Sequence, residues 1–213
     1  MLAKSFAMLL FAWTLASASF GQAIPITAKM HQTDDLLRYG KTVKTHVREV
    51  IFLRSSSGSE LRQTVQYDGK TPPYKMGLAS LWDNDEHLLY TVDYKSRNAY
   101  IQRLPSMPVS ESSNNRQTAQ TLGDTQVAGF DCKLYPVSHR SPTGVETVVG
   151  TRCHSEQYNL DLRIEYTMPT QSADGTIEHM VLEMYDIEVG TEPDPKMFNL
   201  QHNFTIYKPE SQK

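Results

Sequence analysis

Apolar and polar residues alternate with a period of two along much of this chain, and that repeat commits it to strands. Leu61, Val65 and Tyr67 share one side of an extended segment, while Arg62, Thr64 and Gln66 share the other. In a longer stretch, Thr42 to Arg54, Val43, Thr45 and Val47 face one way and Lys44, His46 and Arg48 the other. That alternation slips around Glu49, where Val50, Ile51, Phe52 and Leu53 follow in a row. A bulge, or burial on both faces, accounts for such a slip. The same pattern predicts strands over Ile24 to Gln32, Leu78 to Asp83, Leu88 to Asp93 and Ala99 to Leu104. It continues over Gln126 to Ser138, Val145 to His154, Leu160 to Met168, Thr176 to Val189 and Phe204 to Lys208. Turn residues punctuate these segments, as at Ser55 to Ser59, Asp68-Gly69, Asn84-Asp85-Glu86 and Ala173-Asp174-Gly175. One helical turn is expected over Glu192 to Phe198, with Asp194 as cap and Pro195 at the first helical position. The chain is therefore expected to be all-β with a minor helical part. Its architecture reads as a curved antiparallel sheet or half-barrel of about ten strands.

Residues 1–23 read as a signal peptide. Lys4 supplies the positive start, Phe6 to Leu15 an uncharged apolar run, and Ala16-Ser17-Ala18 or Gly21-Gln22-Ala23 the small residues before a cleavage site. Cleavage after Ala23 puts Pro25 at the second mature position and leaves the scissile bond free. A buried N-terminal helix or an uncleaved anchor is the rival reading. Residues 24–213 read as a single β domain, of a length one core can serve. Within it, residues 105–120 (PSMPVSESSNNRQTAQ) are polar and aperiodic, and read as a flexible loop or a linker between two smaller domains. No later stretch is apolar for long enough to span a bilayer, so an exported, periplasmic or secreted protein is expected after cleavage. With a formal net charge of −3, the chain lacks the basic footprint of a nucleic-acid-binding protein.

Cys132 and Cys153 flank Ser141-Pro142-Thr143-Gly144, a strong turn signal. If that turn closes a hairpin, the cysteines lie opposite each other or one residue out of register. In an oxidising compartment they read as a disulfide. The rival is a metal site of Cys132, Cys153, His154 and His139, which needs reduced thiols and lacks C-x-x-C spacing.

Signatures of catalysis are lacking: there is no G-x-S-x-G elbow, no H-E-x-x-H and no phosphate-cradling glycine loop. Asp83-Asn84-Asp85-Glu86 has the composition of a calcium loop without its glycine or its terminal glutamate, and reads as a solvated turn. Seven histidines are scattered; His46 and His179 fall within strands and are the pair most able to meet. Tyr158, Tyr166, Tyr185, Met180, Met184 and Met197 crowd the second half, as core or as the lining of an adaptable apolar cavity. No catalytic residue, metal ligand or cofactor is assigned.

The stretches LGDTQVAGFDC (122–132) and EPDPKMF (192–198), the latter followed by a strand, carry a resemblance. With the opening ITAKM strand and the pair of segments around Trp82 to Asp93, they resemble a group of uncharacterised exported bacterial proteins that is similar in pattern to the LolA-like, periplasmic lipoprotein-carrier class. The resemblance implies an incomplete antiparallel barrel around an apolar cavity that holds acyl chains. On that basis the leading expectation is a non-enzymatic cell-envelope protein, with a lipid or lipoprotein acyl chain as its partner. The alternative is an interaction or sensor module with a filled core, whose sheet edge or long loop meets another envelope protein. Limited proteolysis of the native protein is expected to cut first between Pro105 and Gln120, as followed by mass spectrometry of the fragments.

Overall fold

The fold is described from a computed structural model, over residues 23–70, 78–93, 95–103, 121–141, 144–169, 175–199 and 204–207. The leader and the 105–120 segment lie outside these residues. Twelve strands form one open, curved sheet. They are β1 (Ile26–Arg38), β2 (Lys41–Arg54), β3 (Glu60–Tyr67), β4 (Leu78–Asp83), β5 (Leu88–Asp93) and β6 (Asn98–Arg103), then β7 (Gly123–Val127), β8 (Phe130–Arg140), β9 (Glu146–Ser155), β10 (Leu160–Pro169), β11 (Ile177–Val189) and β12 (Thr205–Tyr207). The order across the sheet is β12-β6-β5-β4-β3-β2-β1-β11-β10-β9-β8-β7. Two meanders thus meet where β1 pairs with β11. Neighbours are antiparallel except β12, which joins β6 in parallel.

Two strand boundaries differ from the sequence expectation. The stretch from Gln126 to Ser138, read as one strand, belongs to two, β7 and β8. Ala128 (φ 50°) and Gly129 (φ 83°) make a two-residue turn between them, with both residues in the left-handed region as a type I′ hairpin requires. Alanine in that conformation is uncommon, so the usual Asn-Gly signal is missing from the sequence. The first strand also runs on to Arg38, past Thr33-Asp34-Asp35, because each aspartate finds a cross-strand partner. Thr45 donates to Asp35 at 2.5 Å, and Arg48 sits 3.0 Å from Asp34. Cross-strand polar partners override the low strand propensity of aspartate.

The helical turn expected over Glu192 to Phe198 is a short 3-10 helix, Pro195–Met197, whose cap Asp194 accepts from the Lys196 amide at 3.0 Å.

The slip at Val50 to Leu53 has both of its expected causes. The β2–β3 register shifts between Glu49 and Val50, and the residues beyond it are buried on alternate faces. Phe52 belongs to a core with Ile26, Met30, Leu162 and Met184. Leu53, one residue on and therefore pointing the other way, belongs to a second core with Leu61, Leu81, Tyr90 and Val92. The sheet thus buries one face towards β10 and the opposite face towards β6. Phe198 and Phe204 cover the second core. The first is closed by the sheet itself. Val127 and Phe130, from the β7–β8 hairpin, pack with it, and β7 comes close to β11 although three strands lie between them. A flat sheet would hold those strands about 19 Å apart, so this end curls towards the face that carries Met30 and Met184.

Cys132 and Cys153 form a disulfide with Cα atoms 5.4 Å apart. Its register corrects the expectation of zero or one residue of offset, because Cys153 lies opposite Leu134, two residues from Cys132. The shift comes from a bulge between Val137 and Ser138, which displaces the pairing by one further residue. Beside it, Gly150 is required by close approach: a Cβ there would lie 1.9 Å from the Glu165 carbonyl oxygen. The bridge ties the curled hairpin to β9 within the first core. Replacing both cysteines by alanine should lower the unfolding free energy by about 3 kcal/mol, given the 21-residue separation. Urea denaturation of the oxidised parent and the variant reads this difference.

Candidate functional site

Residues directly opposite on neighbouring strands share a face, so the register generates rows that cross the sheet. One row on the curled-in face runs Ala28, Phe52, Arg62, Ser80, Thr91, Tyr100 and Tyr207. The next is Met184, Met30, Val50 and Thr64. Beyond it come Ile164, Leu182, Gln32, Arg48 and Tyr67, then Tyr166, Met180, Asp34 and His46. Apolar side chains dominate the β10–β11 side of these rows and hydroxyl-bearing or charged ones the β3–β5 side.

A groove of about 270 Å³ lies along them, lined by Met30, Val50 and Leu182 on one side and by Arg62, Thr64, Ser80 and Thr91 on the other, with Gln32 at one end. Residues of β11 and β5 meet in this single hollow although four strands separate them. That is possible only if the sheet is concave on this face. Arg62 lies with its guanidinium carbon 5.5 Å from the Phe52 ring centroid and reaches Glu60 at 3.3 Å. The apolar floor is continuous with the first core.

Past Gln32 the concave face turns polar. Gln32 donates to Oδ1 of Asp34 at 2.8 Å, and the Arg48 guanidinium lies over the Tyr67 ring at 5.7 Å. Nδ1 of His46 lies 2.6 Å from the Tyr67 hydroxyl and 2.9 Å from Asp68. Burial raises the Tyr67 phenol, and the Asp68 charge adds to it. Tyr166 is raised in the same way, by burial first and then by the charges of Glu178 and Asp34. Among the singled-out residues of the second half, Met180 and Tyr166 stand half-buried on this face. Met184 is core, Tyr158 packs against core, and Met197 is exposed.

A second hollow, of about 380 Å³, adjoins the disulfide and is lined by Asp131, Lys133, His154 and Glu156 among others. His154 is buried, and its Nδ1 lies 2.7 Å from Asp161. Lys133 donates to Glu156 at 2.7 Å, which with the Tyr135 hydroxyl holds that carboxyl below its ordinary value. An imidazole held by a carboxylate is the usual preparation for acid–base chemistry. Here the motif recurs, at His31–Glu49, His46–Asp68 and His179–Glu165, each joining neighbouring strands or a strand and its turn. A pairing repeated across the sheet is a strand clamp. His46 and His179 flank Asp34 and Asp35, which point to opposite faces, so these two histidines do not meet. In the Asp83–Glu86 turn, Oδ1 of Asp83 accepts from the Asp85 and Glu86 amides and caps the turn.

No protein-family model matches the chain, and no curated protein matches it. Among solved structures it is similar to an uncharacterized conserved protein from Thermus thermophilus, at 8% identity over 93% of this chain and 99% of the other, with a TM-score of 0.49. It is loosely similar to a LolA superfamily protein from Nitrosomonas europaea, at 13% identity over 84% and 91% of the two chains and a TM-score of 0.38. A third is a putative outer membrane lipoprotein-sorting protein domain from Vibrio parahaemolyticus, at 12% identity over 90% and 95% and a TM-score of 0.34. A likeness of this grade concerns strand arrangement and says nothing of ligand or activity. Among the described residues, no helix is long and apolar enough to cross a membrane.

On the opposite face, the Tyr185 hydroxyl donates to Oε2 of Glu49 at 2.6 Å, a bond that with burial and the Glu49 charge pushes its pKa up to about 12. Because the folded value lies above the ordinary value near 10, this stabilisation is fully present below pH 10 and is lost as the pH rises through about 12. Ultraviolet titration should therefore show one phenol ionising latest, near pH 12, and Glu49→Gln should bring it back towards 10.

Proposed function

We propose that this protein is an exported binding protein of the cell envelope that holds an acyl chain in the concave groove and performs no chemistry of its own. One observation carries the reading: Met30, Val50 and Leu182 form an apolar floor inside the curved sheet, open along a wall of hydroxyl-bearing side chains. At about 270 Å³ the groove is slightly smaller than ordinary ligand pockets of about 300–1,000 Å³, a size suited to part of one slender chain rather than a broad cofactor. Its two unlike walls suit a chain whose methylenes lie against the β1–β11 side, with Thr64, Ser80 and Thr91 along the opposite edge. The disulfide supports export, since such bridges persist in oxidising compartments, and the signal-peptide reading of residues 1–23 points the same way. The non-enzymatic reading is supported by the recurrence of histidine–carboxylate pairs as strand clamps and by the engagement of both thiols in the bridge.

Native mass spectrometry of the protein recovered from its own compartment, followed by organic extraction, should find a lipid-sized adduct at one per chain. Leu182→Asp places a charge on the half-buried apolar wall and should weaken binding of a fluorescent fatty-acid probe at least tenfold. Because Leu182 packs against the first core, circular dichroism of the variant should first report an intact sheet. Protein recovered at its bare mass, together with a Leu182→Asp variant that binds the probe as well as the parent, would refute the reading. Crosslinking for a protein partner would then be the next step.

A further inference from the structure

The geometry points to Asp34 and Arg48 as the site for the polar head of the bound amphiphile, and to a neutral, hydroxyl-bearing head such as that of an acylglycerol. This inference rests on the acyl-chain reading and adds what that reading leaves open, the chemistry at the end of the chain. The Asp34 side chain is 4% exposed, and Nη2 of Arg48 lies 3.0 Å from its Oδ2. That approach lacks hydrogen-bond geometry. Among the described residues, Oδ2 of Asp34 and Nε of Arg48 are the two buried side-chain atoms without a hydrogen-bond partner. A buried polar atom left unpaired is costly, and an ion pair that leaves one acceptor and one donor unsatisfied is suited to a group able to satisfy both.

Position links this pair to the groove. Gln32 lies opposite Arg48 and two residues from Asp34 on the same face. It lines the groove with one side and donates to Oδ1 of Asp34 with the other. The apolar floor at Met30 and Val50 is the row immediately before it. A chain lying on that floor with its head towards Gln32 therefore reaches the ion pair by rotation of one glutamine side chain.

Charge selects the head. Asp34 and Arg48 cancel, and the charged groups around them are the His46–Asp68 pair, Lys44, whose charge acts on Asp68, and Glu178, which faces Tyr166. Nothing there offers net positive charge to a carboxylate or a phosphate. A hydroxyl carries no charge, donates to Oδ2 of Asp34 and accepts from Nε of Arg48 with a single oxygen. An ester head lacks the donor and leaves the aspartate unsatisfied. Sites that hydrogen-bond a ligand hydroxyl reject analogues lacking it strongly, because the buried groups are then unpaired.

The test is displacement of a fluorescent apolar probe from the purified protein by monooleoylglycerol, methyl oleate and oleate. Monooleoylglycerol should bind at least tenfold more tightly than either of the others. In the double variant Asp34→Leu with Arg48→Met, which removes both charges together, monooleoylglycerol and methyl oleate should bind alike. Circular dichroism should report an intact sheet. Equal binding of monooleoylglycerol and methyl oleate to the parent protein would overturn the head-group site and leave the acyl-chain reading standing. So would a preference for monooleoylglycerol that survives the double substitution. Failure of all three to displace the probe would remove the acyl-chain reading, and the head-group site with it.

Discussion

Among the described residues no layer of helices covers the twelve-stranded sheet, so the sheet covers its apolar faces with itself or with its own ends. Strand β2 is where this constraint is met. Phe52 and Leu53 are adjacent, buried, and directed to opposite faces, each into its own core. Towards β10 the sheet curls until the β7–β8 hairpin closes over Phe52, Met30 and Met184. Towards β6 the opposite face is apolar and is covered by Phe198 and Phe204. Fully burying either residue contributes about 2–3 kcal/mol, and the gain on each face depends on strand β2 keeping its register. A slip of one residue would exchange the two cores and expose both.

The groove is a consequence of that exchange. Where the concave face stops being core, it does not become a polar surface at once. Met30, Val50 and Leu182 still carry the apolar character of the curled end, while Thr64, Ser80 and Thr91 already carry that of the outer strands. A hollow with one wall of each kind lies at the point where burial changes sides. It needs no insertion, no lid and no dedicated loop among the described residues.

Much of this is legible in the sequence. Period-two alternation locates the strands, and the four apolar residues in a row at Val50 to Leu53 announce burial on both faces. Pro-Thr-Gly between two cysteines announces a bridged hairpin. What stays hidden is hidden for physical reasons. The Ala128-Gly129 turn escapes notice because alanine rarely takes a positive φ, so composition gives no warning. The continuation of β1 through Asp34 and Asp35 escapes it because their partners, Arg48 and Thr45, lie on another strand. The groove cannot be read at all. Its residues come from β1, β2, β3, β4, β5 and β11, and each looks like an ordinary half-buried strand position until the register brings them into rows.

Asp34 and Arg48 show why charge inside a sheet carries more information than apolar residues there. Replacing a buried ion pair by well-packed apolar side chains is often neutral or stabilising, so stability alone gives little reason to keep one. The reason is stronger to replace one whose geometry leaves an acceptor and a donor unpaired, as here. The strand clamps make the contrast within the same molecule. His154–Asp161 and His179–Glu165 bring nitrogen and carboxylate oxygen to 2.7 and 3.2 Å in hydrogen-bond geometry. Those pairs serve the sheet. The pair that fails this standard stands at the end of the concave groove, one glutamine away from its apolar floor. Its value to the protein is then best sought in the ligand proposed for that groove.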